Sequence, residues 1–231
     1  MYLPYYIDPT YVLVIIGLVI TLAASAKVKT TFAKYSKYRS MSGLTGEQAA
    51  QRILQSSGIY DVTIERIQGN LSDNYDPRSK VLRLSDSVYG QTSIAAIGVA
   101  AHECGHAIQH ANSYVPLKLR SAIVPVANFG SMAAWPLILL GVFMRGQTLI
   151  DLGIILFSAA VLFQLITLPV EVNASRRAIA VLGGTGILYG DELKYSKKVL
   201  GAAALTYVAA AASMILQLLR LVLLFGGRKR D

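Results

Sequence analysis

Residues 93–112 read Ser-Ile-Ala-Ala-Ile-Gly-Val-Ala-Ala-His-Glu-Cys-Gly-His-Ala-Ile-Gln-His-Ala-Asn, and the rest of the chain is best understood outward from them. The stretch is rich in alanine and free of proline, so it predicts a helix. It holds all three histidines of the chain, His102, His106 and His110. His102 and His106 are four residues apart and project from one helical face. Two imidazoles at that spacing can share one zinc ion, with Glu103 beside a metal-activated water as general base. A metal lowers the pKa of such a water to about 7, which makes hydroxide available at neutral pH. In a chain of this composition the HExxH arrangement has a chance expectation of roughly 0.001, far below that of most short motifs. The competing reading is a helix whose histidines only pack.

His110 is four residues beyond His106 but about 6 Å further along the axis. A third histidine from the same segment ligates when the chain turns at a glycine after the second ligand. Ala107-Ile108-Gln109 offers no such turn, so His110 is expected to end the helix or to support the ligands from behind. The third ligand then comes from elsewhere, and four glutamates remain: Glu47, Glu65, Glu171 and Glu192. Glu171 stands in Pro169-Val170-Glu171-Val172-Asn173-Ala174-Ser175-Arg176-Arg177. Pro169 suits the opening of a new helix. A carboxylate in its first turn would be rigidly held, although the helix dipole alone also favours a glutamate there. The residues favour Glu171 and leave the other three open.

Beyond the motif, 54% of the residues are hydrophobic and 15% charged, against roughly 25% charged in soluble domains. The apolar residues fall in four blocks: 11–26, 123–144 (with Pro125 and Pro136), 149–168 and 201–225. Four transmembrane helices are expected, the middle two a hairpin joined by Arg145-Gly146-Gln147-Thr148. The alanine-rich start of the last block suits close packing in lipid, and Arg220 is expected to snorkel. Net charge is +9. No aromatic-basic nucleic-acid signature accompanies it, so the charge is assigned to membrane-flanking loops and no nucleic-acid partner is expected.

The expected divisions are a first transmembrane segment (1–26), a catalytic region (27–122), a transmembrane hairpin (123–168), a helix with the third ligand (169–200), and a last segment with a basic tail (201–231). Four spans place 27–122 and 169–200 on one side. These carry twelve and five Lys and Arg, which makes that side cytoplasmic. The tail Arg228-Lys229-Arg230 argues the other way. The single cysteine excludes an internal disulfide, and the N-terminus lacks the basic start of a removable signal peptide.

Within 27–122, Thr45-Gly46-Glu47-Gln48 predicts a capping box for a helix that ends before Gly58. Val62–Ile67 and Val81–Ser85 are strand candidates flanking a turn at Asp76-Pro77-Arg78-Ser79. By resemblance to zinc peptidases of this helical-motif type the second is expected to be a sheet edge that an extended peptide can join, the alternative being an ordinary core strand. Cys104 is expected to pack behind the helix, and Gly105 to admit another backbone or simply to be small. Arg176, Arg177 and Tyr75 are candidates for stabilising an oxyanion, the arginines competing with a role as membrane anchors. Gly183-Gly184-Thr185-Gly186 reads as a helix stop and not as a dinucleotide-binding loop.

Asn74-Tyr75-Asp76-Pro77-Arg78, residues 95–103 through His102-Glu103, Gly105-His106-Ala107-Ile108-Gln109, and Pro169-Val170-Glu171 followed by Ala174-Ser175-Arg176-Arg177 resemble the bacterial YugP-like membrane zinc metallopeptidases. The resemblance covers most of the chain. More distantly, the layout is similar to HtpX and the CAAX prenyl proteases, which are gluzincins. The resemblance implies one Zn²⁺ per chain held by His102, His106 and Glu171, in a bacterial cell membrane. HtpX-like chains carry an aspartate at the position of Ser175, so Asn173 or Ser175 is expected to share the orientation of the histidines. A histidine often stands in YugP-like chains where this one has Asn74.

The expectation is a mainly α membrane protein: four transmembrane helices and a small α+β zinc-peptidase region built on the HExxH helix. Its function would be endopeptidase cleavage of membrane-associated proteins at the cytoplasmic face. The alternative is a catalytically silent zinc-binding membrane scaffold or regulator. The sequence sets no oligomeric state.

Overall fold

The computed structural model describes residues 8–226. The elements run α1 (Tyr11–Tyr35), α2 (Gly46–Ser56), β1 (Thr63–Ile67), β2 (Asn74–Asp76), β3 (Val81–Ser85), α3 (Ile94–Ala111), α4 (Val115–Met144), α5 (Gln147–Gly184) and α6 (Gly190–Phe225). α1, α4, α5 and α6 are each long and apolar enough to cross a membrane. The tail Arg228-Lys229-Arg230 lies outside the described residues.

The long helices outrun the apolar blocks that announce them. α1 continues through Lys27, Lys29 and Lys34, and α6 begins eleven residues before Gly201. The larger correction concerns Pro169. It neither ends one helix nor starts another, because α5 is continuous from Gln147 to Gly184 with Pro169 inside it. The ring removes one backbone N–H. A break beside an apolar segment would instead orphan several donors and acceptors at two new helix ends. One lost bond is the smaller cost. Pro125 and Pro136 are carried inside α4 in the same way. Glu171 is thus a mid-helix residue and has no first-turn dipole to explain it.

Two compact units are present. The first comprises the described parts of Met1–Ala23, Leu119–Thr167 and Tyr207–Asp231. Its helices approach at small residues. A Cβ on Gly17 would lie 2.8 Å from Ser213 Oγ, and one on Gly130 would lie 2.7 Å from the Leu156 carbonyl oxygen, as lipid-exposed helix packing favours. Ala134, Ile138, Phe157, Val161 and Leu221 form its buried centre, while Leu18, Phe129, Leu139 and Ile155 remain exposed. Arg220 turns to the start of α1: its guanidinium stacks 4.3 Å over Tyr11 and lies 3.6 Å from Asp8.

The second unit comprises Ala24–Lys118 and Leu168–Thr206. α2 carries the expected capping box, with Thr45 Oγ1 accepting from Gln48 N–H and Gln48 Oε1 accepting from Thr45 N–H. It stops at Ser56, before Gly58 at φ +72°. The sheet order is β1-β3-β2, with β1 parallel and β2 antiparallel to β3. β3 is therefore the central strand and not an edge; the sequence reading missed β2, which occupies that flank. Three residues are too few to show an alternating pattern. Leu82 and Leu84 point from β3 into a core with Ile53, Leu54, Ile97, Ala101, Leu182 and Leu188.

Candidate metal centre

α3 is the axis of the second unit. Ser93 Oγ caps it by accepting Ala96 N–H, and thirteen of its residues are buried. Neighbours press on it from several sides. Towards α2, Cys104 is fully buried, its thiol donating to the Ala50 carbonyl at 3.6 Å. Burial pushes the thiol pKa well up, so Cys104 is packing and not a reactive group. Towards α5, a Cβ on Gly105 would sit 2.4 Å from the Ala174 carbonyl oxygen. Glycine is what lets the two backbones meet there.

That approach brings α5 beside the histidine face. Glu171 Oε2 lies 3.2 Å from His102 Nε2 and 3.5 Å from His106 Nε2. The two imidazole rings stand edge to face with centroids 4.8 Å apart. One ligand atom from each of the three residues falls within 4.8 Å of the others, so the group could hold a metal ion. Zinc with bonds of about 2.0–2.2 Å in tetrahedral geometry sets neighbouring donors about 3.3–3.6 Å apart. The nitrogen-to-oxygen separations match that spacing, and two imidazoles with a carboxylate suit zinc.

The opposite ring nitrogens are fixed. His102 Nδ1 is 3.1 Å from Ser175 Oγ, and His106 Nδ1 is 3.0 Å from Gln109 Oε1. Gln109 donates its amide N–H groups to the Val170 carbonyl at 2.8 Å and to Asn173 Oδ1 at 3.0 Å. Its oxygen is therefore left to accept from His106 Nδ1–H, which frees the Nε2 lone pair for a cation. Arg177 completes the chain, donating to Asn173 Oδ1 at 2.7 Å and resting over Tyr114. Of the two residues considered for this support, Ser175 faces His102, and Asn173 contacts Gln109 and Arg177. Gln109, fully buried, was not foreseen. Its position three residues after His106 on the same helix was the available signal.

Charge at the centre favours a cation. Burial opposes protonation of His106, but its hydrogen bond to Glu171 and the charges of Glu103 and Glu171 outweigh this and raise its pKa. Glu103 is buried, and burial pushes its carboxyl up. The imidazoles of His102 and His106 pull the other way, while Glu171 and Asp73 add to the rise. A carboxyl shifted upward is the better proton carrier near neutral pH.

His110 is outside the three-donor group. Its Nδ1 is 2.9 Å from the Tyr75 hydroxyl. Burial, with Asp61 and Asp76 nearby, pushes the Tyr75 phenol up to about 12, so it remains a hydrogen-bond donor. Arg176 is exposed and joins Lys197 at a groove between α5 and α6. Glu47, Glu65 and Glu192 are not in the group; Glu192 instead accepts Met41 N–H at 2.7 Å.

Gln109→Leu tests the support of His106. The fold is expected to persist and zinc affinity to fall about 10–100-fold, read by competition with a chromophoric chelator. Unchanged affinity would reduce Gln109 to packing.

Comparison with known proteins agrees with this geometry. A relative in Bacillus subtilis (strain 168), named "Putative membrane protease YugP", is 53% identical over 214 residues, covering 92% of this chain and 95% of the relative. No solved structure matches. A family model described as "Putative neutral zinc metallopeptidase" matches residues 10–226, and the chain belongs to that family.

Proposed function

We propose that the protein is a membrane-bound zinc endopeptidase in which His102, His106 and Glu171 hold the metal and Glu103 is the general base. The convergence of three donors beside a buried carboxylate carries this reading. Structural zinc sites close all four positions with protein ligands. Here the group has three members among the described residues, and a structural site has no use for Glu103.

Bound zinc supplies Lewis acidity to the water and to the scissile carbonyl. Glu103 accepts the proton that the attacking water releases as the new C–O bond forms. It returns that proton to the amine nitrogen as the C–N bond breaks. Ser175 and Gln109 keep the imidazoles in the tautomer that presents Nε2. Tyr75, a donor throughout the physiological range, stabilises charge on the carbonyl oxygen. An extended peptide adds to the outer edge of β2, the strand that carries Tyr75.

Glu171 follows the apolar stretch ending at Leu168 by three residues on one helix, which supports a site at the membrane surface and substrates that are membrane-associated. The basic segments 27–122 and 169–200 support the cytoplasmic face of a bacterial cell membrane. The full chain in detergent should contain one zinc per chain and cleave casein or itself. Chelation should abolish cleavage and added zinc restore it. One retained zinc with no cleavage of casein, an unfolded membrane protein or the chain itself would favour the silent scaffold.

A further inference from the structure

Beside the metal centre, α5 and α6 enclose an open groove of about 290 Å³ that the catalytic reading leaves unused. Val172, Ile179, Leu200 and Ala204 are apolar residues of its lining, and Arg176 and Lys197 are its two cations. Both cations are exposed, and neither has an ion-pair partner among the described residues. Gly201 also lines the groove, and a Cβ there would meet nothing within 4 Å. The groove is continuous with lipid-facing sequence: Val172 is four residues past Leu168 on α5, and Gly201 opens the apolar stretch of α6.

We propose that this groove is a binding site for one anionic phospholipid. Its phosphate sits between Arg176 and Lys197, and the first part of an acyl chain lies along Val172, Leu200 and Ala204. An unpaired arginine eight residues past the apolar stretch of α5 and an unpaired lysine four residues before that of α6 match a phosphate in charge. The apolar lining asks for an amphiphile and not for a free anion. A zwitterionic lipid satisfies the lining and leaves the cations in surplus. Occupancy bears on the metal centre through Ser175, which lines the groove and also holds His102 Nδ1. A peptide side chain would fill the same lining, but it offers the two cations no fixed anion.

The test is native mass spectrometry of the full chain in detergent, titrated with phosphatidylglycerol or phosphatidylcholine. The first phosphatidylglycerol should bind at least about tenfold more tightly than phosphatidylcholine. The double variant Arg176→Gln/Lys197→Gln should lose about thirtyfold of that affinity, the attraction expected of two juxtamembrane cations. Gly201→Leu, which fills open space and keeps both cations, should weaken both lipids. Lys27→Gln/Lys29→Gln should leave the first site unchanged. Melting temperature and zinc content monitor folding, and if Gly201→Leu melts early the Arg176/Lys197 pair decides alone. Equal affinity for the two lipids would overturn the proposal, as would equal losses from the two lysine-bearing pairs. Displacement of the lipid by an acidic apolar nonapeptide at lower concentration would reassign the groove to substrate.

Discussion

Glu103→Gln is expected to keep one zinc per chain and to lower the turnover of casein about 10²–10⁴-fold, the range that a positioned proton carrier contributes. The amide has nearly the same volume, and Glu103 is absent from the donor group formed by His102, His106 and Glu171. The metal therefore has no reason to leave. What disappears is the basic oxygen that takes the proton from water. Glu171→Ala should behave in the opposite way. It removes the only carboxylate of the group, so zinc is lost first and activity with it. Measuring zinc by elemental analysis and cleavage by casein release on the same preparations separates the two roles. If Glu103→Gln cleaves as fast as the wild type, the assignment of the base is wrong. If Glu171→Ala keeps its zinc, the third ligand must be sought elsewhere.

Gly105→Ala should damage both stability and metal binding although alanine is the better helix former. The new methyl group would lie 2.4 Å from the Ala174 carbonyl oxygen, 3.0 Å from its carbon and 3.2 Å from its Cα. Backbone cannot rotate away as a side-chain tip can, so α3 and α5 must part by about 1 Å to reach ordinary C···O contact. Overpacking of this kind costs about 1–3 kcal/mol. The same displacement pulls Glu171 from His102 and His106, and zinc affinity should drop at least about tenfold. Gly98→Ala is the control on the same helix. Its methyl group would meet Ser196 Oγ at 2.6 Å, a rotatable hydroxyl, so a small change in melting temperature and none in zinc affinity are expected. Equal effects from the two substitutions would deny Gly105 any special place in building the centre.

The parts of this molecule that were legible in the sequence are those set by local chemistry. The limits of α3 follow from Ser93 and Asn112. The start of α2 follows from Thr45 and Gln48, and the four long helices from their apolar length. His102 and His106 are readable as a pair because helical spacing alone places the two imidazoles on one face. What could not be read depends on contacts distant in sequence. Glu171 was reachable by residue type and by resemblance, but its mid-helix setting was hidden by Pro169, whose local preference loses to the need to keep backbone groups bonded. β2 was too short to leave a pattern, and its presence turned β3 from an edge into a centre. Gln109 is an ordinary amide in the sequence. His106 lies within its own helix, and only the packing of α5 against α3 gives its other two partners, Val170 and Asn173.

Because Glu171 is carried by the same unbroken helix as the apolar stretch before it, the order of synthesis matters. His102 leaves the ribosome 69 residues ahead of Glu171, and the hairpin of α4 and the apolar part of α5 lies between them. Until those helices have been made and placed, the growing chain owns a two-nitrogen site with no carboxylate to complete it. On the proposed function, the three-donor group is therefore completed only after the hairpin has been made, and a nascent chain that stops short of Glu171 holds two of the three donors.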